Sequence, residues 1–92
     1  MMEFGQIIVI TGIIMPHNWD ESGKVIEIAL YTNKEEVYVV EHNCLTQRLM
    51  ALMYNKAEVK GRVREDQNGG KSIAVQHYRV LEEMKISESE QS

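Results

Sequence analysis

The chain has 92 residues, 43% of them hydrophobic and 26% charged, which suits one small folded core and is too apolar for a disordered polymer. No stretch approaches the ~18 consecutive apolar residues that span a bilayer, and the start Met1-Met2-Glu3 lacks the charged-then-apolar layout of a signal peptide. The net charge of −4 is concentrated at one end: the last eleven residues hold four acids against one base, leaving −1 for residues 1–81. That balance argues against strong nonspecific nucleic-acid binding by bulk charge, though it leaves room for a local cationic patch. The lone Cys44 cannot form an internal disulfide, which points to a reducing, cytoplasmic setting.

The first element is Gln6–Met15, β-branched at most positions and apolar on both faces, so it reads as a strand buried on both sides. Gly12 within it marks a place where such a strand bends. Pro16–Gly23 holds the only proline and the only tryptophan among turn-forming residues and reads as a loop. Lys24–Thr32 alternates Ile26, Ile28 and Leu30 against Glu27, Ala29 and Tyr31, the period of a half-buried strand. The short polar turn Asn33-Lys34-Glu35 leads into Glu36–Glu41, so these two strands form an antiparallel hairpin.

The period then changes. Leu45, Leu49 and Leu52 predict a helix of about three turns within Asn43–Asn55, with Asn43 as N-cap and Asn55 ending it in a left-handed turn. Strand periodicity returns in Lys56–Arg64, where Ala57, Val59, Gly61 and Val63 share one face and Glu58, Lys60, Arg62 and Arg64 the other. Asn68-Gly69-Gly70 supplies a hairpin reversal into Ser72–Leu81. The alternation slips between Val75 and Tyr78, which predicts a bulge. One domain is expected over 6–83, followed by an acidic, disordered tail over 84–92.

The predicted fold class is therefore all-β, with five strands and one short helix in the order β-β-β-α-β-β. An antiparallel sheet of this size hides its edges by closing into a barrel, with the helix stoppering one end. Gly12 in Val9-Ile10-Thr11-Gly12-Ile13-Ile14, the strand Val59-Lys60-Gly61-Arg62-Val63 and the helix between strands three and four carry a resemblance. The order resembles the OB-fold, a five-stranded Greek-key barrel that binds oligonucleotides or oligosaccharides.

The resemblance implies a ligand face on strands two and three, framed by the loops between strands one and two and between four and five. On this chain it implies Trp19 and His17, Tyr31 and Tyr38, and Asn68 and Lys71. Bases would stack on the aromatic rings and phosphates would meet the cations. Independently of the resemblance, Lys60, Arg62 and Arg64 form an outward cationic stripe that Lys71 and Arg79 extend across the last hairpin. Each feature also has a structural explanation. Tyr31 and Tyr38 could pack as a cross-strand pair, and alternating cations protect a strand from aggregation.

Catalysis is not expected, because the titratable side chains do not converge and no phosphate-binding loop precedes a helix. His42-x-Cys44 is too tight for a zinc pair, Cys44 reads as a small buried hydrophobe, and no metal or cofactor is expected. The expected function is a noncatalytic OB-fold binding module for single-stranded DNA or RNA. The alternative is a protein–protein interaction module, either a homodimer or a subunit of a larger complex.

Overall fold

The β-branched N-terminal run forms β1, Gln6–Trp19, longer than predicted and carried through Pro16. A computed structural model describes the chain over residues 6–82, so the acidic tail expected over 84–92 lies outside the described residues. The remaining elements are β2 Val25–Tyr31, β3 Val37–Val40, α1 Thr46–Met50, β4 Lys56–Glu65 and β5 Lys71–Glu82. The protein is mostly β, a closed five-stranded sheet with one short helix.

Around the closed sheet the strands run β1-β2-β3-β5-β4 and return to β1. The sheet was expected to be antiparallel throughout, and it is not: β3 pairs with β5 in parallel, from Tyr38 opposite Lys71 to Val40 opposite Ile73. The cause is parity. An odd number of strands cannot close with every neighbour antiparallel, so one seam must be parallel. The other four pairings are antiparallel.

β1 serves both halves of the sheet. Gln6–Ile13 pairs with β4 and Ile13–Trp19 with β2, so the strand changes partner just past Gly12. A Cβ at Gly12 would stand 2.6 Å from the Tyr31 carbonyl oxygen, and one at Gly61 would collide with the Ala74 carbonyl. Glycine is required at both places because two backbones approach there too closely for a side chain.

β1 is not buried on both faces as its composition suggested. Ile10 and Ile14 enter the core, whereas Ile7, Val9 and Ile13 are exposed on the outer face. Two-sided burial needs a second layer, and the one described helix, α1, packs into the core through Leu49. Ile26 is likewise exposed rather than inward, although Ile28 and Leu30 are fully buried. The core is completed by Tyr38, Val40, Ala57, Val59, Ile73 and Val75, with Leu49 entering from α1.

The helix is shorter than the leucine spacing predicted. After Met50 the winding tightens into turns, with the amides of Leu52 and Met53 donating to the carbonyls three residues back. Tyr54, not Asn55, takes the left-handed conformation, at φ 76°. Asn43 organises the approach from outside the helix: its Oδ1 accepts from the Leu45 amide and its Nδ2 donates to the Val75 carbonyl. The predicted bulge in β5 is present, since Lys60 pairs with His77 and Gly61 with Val75, which leaves Gln76 extra.

Candidate functional site

The first half of the segment read as a loop from Pro16 to Gly23, Pro16–Trp19, belongs to β1. The register shifts around His17 and again at Asn18, and a proline is tolerated beside such an irregularity. The turn proper begins at Asp20, whose Oδ1 accepts from the Ser22 amide, the Ser22 hydroxyl and the Lys24 amide. The Ser22 hydroxyl first, then the Lys24 amide, hold the Asp20 carboxyl below its ordinary range. Trp19 therefore ends a strand, 50% exposed. It pairs with Val25 at the opposite end of β1 from Ile7, the partner of Arg62.

Tyr31 and Tyr38 point to opposite sides of the sheet, and neither faces the other. Tyr31 lies opposite Val37 and Tyr38 opposite Leu30. Tyr38 is only 6% exposed and belongs to the core, so its ring cannot serve as a stacking platform. Its hydroxyl donates to Glu36 Oε1 at 3.0 Å. Burial, and then the Glu36 carboxylate, raise the phenol above its ordinary range. The same carboxylate accepts from Lys71 Nζ at 3.3 Å, and that ammonium lies 5.5 Å from the Tyr38 ring centroid.

The expected ligand face does contain a cleft. Its apolar floor is Val37 and Val39, with His17 at one side and Arg64 and Lys71 at the other. Its volume is about 620 Å³. The charge is wrong for a phosphate chain, however. Arg64 faces Glu41 at 3.6 Å, Lys71 faces Glu36, and Glu65 and Asp66 add further acids to the rim. Asn68 and Gly70 direct their backbone amides to Asp66 Oδ1, so the hairpin tip uses its donors internally.

The remaining cations lie on a different surface. On the outer face of β4, Arg62 stands opposite Ile7 and Lys60 opposite Val9, which is 58% exposed. On the other side of β4, Lys60 faces His77 and Glu58 faces Arg79. Arg79 is committed to Glu58 at 3.1 Å. Lys60 makes no ion pair among the described side chains. The expected five-cation surface is thus divided, with Arg64 and Lys71 in the acidic cleft and Lys60, Arg62 and Arg79 beside exposed aliphatics.

Tyr31 occupies a third location, a cleft shared with Tyr54 and Lys56. Neither of those two was singled out from the sequence. The available signal was that Tyr54 falls outside the Leu45-Leu49-Leu52 stripe, just before the strand begins.

Among the described residues no group of three or more histidine, cysteine or acidic side chains gathers as a metal site. Cys44 is exposed rather than buried, because the neighbouring Leu45 packs against the core instead. No described helix is long and apolar enough to cross a membrane. No family model matches the sequence, and neither curated proteins nor solved structures give a match.

Proposed function

We propose that the closed five-stranded sheet is an OB-fold Greek-key barrel and that the chain is a noncatalytic module binding single-stranded nucleic acid. The fold assignment is supported by β1 being shared between β2 and β4, by the β3–β5 seam and by the helix between β3 and β4. The ligand surface of this module is the outer face of β1 and β4, not the acidic cleft. One observation carries this choice: Lys60 projects without an ion-pair partner among the described side chains, beside the exposed Val9 and flanked along β4 by Arg62. Phosphates would meet Lys60 and Arg62, while sugars and bases would cover the aliphatic row.

The test is fluorescence anisotropy with labelled DNA and RNA oligomers at low salt. Affinity should fall as salt rises, and Lys60→Ala should weaken binding and flatten the slope by roughly 0.7 in the log–log plot. Absence of binding to either polymer overturns the reading.

A second reading draws on the same exposed row. Ile7, Val9 and Ile13 together with Leu81 suit contact with a second copy or another protein. A stable dimer by sedimentation, abolished by Val9→Lys and indifferent to oligonucleotides, would favour it.

A further inference from the structure

Among the described residues, Tyr54 is the one aromatic held in the left-handed backbone region, at φ 76°. A bulky side chain is strained there, and strain of this kind persists only where the surroundings enforce it. The enforcement is visible. The Tyr54 amide donates to the Ile14 carbonyl at 2.6 Å, and the Ile14 amide donates to the Asn55 carbonyl at 3.1 Å. Those bonds fasten the helix-to-strand junction to β1 where it has parted from β4. The ring is left 49% exposed rather than used in the core.

The cleft that receives it has a volume of about 490 Å³ and contains Tyr31, 38% exposed, with Ile13 between the two strands it joins. Thr11 and Asn33 supply polar groups at its rim, and Lys56 supplies a positive charge. Among the described residues no carboxylate lines it, in contrast to the acidic cleft, and Lys56 makes no ion pair among the described side chains. On a protein of net charge −4 this combination is selective. Two phenol rings favour a flat aromatic group, a lone ammonium favours an anion, and the rim groups can read a polar ring edge.

We infer that this cleft is a nucleobase-binding subsite, with Tyr54 and Tyr31 contacting the base and Lys56 its phosphate. The base belongs either to a free nucleotide or to a nucleotide within a single strand, and the second case rests on the function proposed above. In that case the strand runs along β4, from Lys56 towards Lys60 and Arg62.

The full chain is tested with fluorescein-labelled oligothymidylate by anisotropy and with thymidine monophosphate by calorimetry. Tyr54→Gly removes the ring and relieves the backbone, so it remains folded. It should weaken both ligands about ten-fold or more, while Tyr54→Phe retains most of the affinity. Lys56→Gln should lower the salt dependence for the oligomer. If the oligomer binds and Lys60→Ala weakens it but Tyr54→Gly does not, the subsite is wrong and the module reading stands. If the monophosphate binds through Tyr54 but the oligomer does not bind, the subsite stands and the single-strand reading fails. Binding of neither ligand overturns both.

Discussion

Gly12 passes beneath Tyr31 so closely that the Tyr31 carbonyl oxygen occupies the space a side chain would need, 2.6 Å from an added Cβ. The contact falls where β1 leaves β4 for β2, so the methyl group of Gly12→Ala cannot be absorbed by a flexible neighbour. The substitution should cost about 1–3 kcal/mol, read as a lower urea midpoint with an unchanged slope. A midpoint equal to that of the parent protein would mean that β1 bends elsewhere.

Asn43 is the polar hinge of the helical segment. It receives the Leu45 amide at 2.8 Å, donates its own amide to Thr46 Oγ1 at 2.8 Å and reaches the Val75 carbonyl at 3.0 Å. Asn43→Ala removes both side-chain bonds in a half-buried place and should destabilise by about 1–3 kcal/mol. Asn43→Asp keeps the acceptor for Leu45 but loses the donor to Val75, and should fall between the two by thermal unfolding. A result in which Asp is as damaging as Ala would assign the effect to the Val75 contact alone.

Glu36 links pH to stability at both ends of the scale. The Tyr38 hydroxyl first, then Lys71, hold its carboxyl below the ordinary 4.5. A lowered carboxyl stabilises fully above about pH 4.5, and that contribution is lost as pH falls through the folded value. Tyr38 is shifted above 10.0, and Lys71 above 10.5 by its bond to Glu36. Those raised groups contribute below their ordinary values and lose the contribution as pH rises through the folded ones. The stability gap between the parent and Glu36→Gln should therefore be level through neutral pH and narrow in acid. Denaturation midpoints across the acid range check this, and a gap that widens in acid contradicts it.

The Arg79–Glu58 pair is solvent-exposed, with the Arg79 side chain 69% accessible. Pairs of this kind contribute less than about 1 kcal/mol. Arg79→Ala should leave the unfolding midpoint nearly unchanged, and a large drop would mean that the guanidinium supports the hairpin through packing.

Periodicity made much of the fold legible. The inward set Ala57, Val59 and Gly61 on β4 is as alternation predicted, and the slip in β5 is a bulge at Gln76. What alternation could not convey was whether a second layer covers an apolar strand. Ile7, Val9 and Ile13 are as hydrophobic as Ile10 and Ile14, yet they lie on the outer face, whereas α1 packs inward through Leu49. The leucine spacing conveyed the direction of the helical face but not its length: past Met50 the bonds tighten to three-residue turns, and Tyr54 closes the segment in the left-handed conformation. The candidate site was less legible for a related reason. Residue type places a tyrosine on a strand, but register decides that Tyr38 is in the core and Tyr31 outside it. Likewise the charges of Arg64 and Lys71 are visible in the sequence, whereas their proximity to Glu41 and Glu36 arises only when β3 meets β5.

The seam joining β3 to β5 holds three residue pairs against eight between β1 and β4. Its partners are also remote in sequence, so the join forms only after both flanking hairpins are in place. Transient opening should begin there, with the amides of Val39 and Glu41, the latter bonded to the Ile73 carbonyl, exchanging with heavy water ahead of those in β4. When it parts, the ring becomes a curled ribbon whose two hairpins are still tied together through β1.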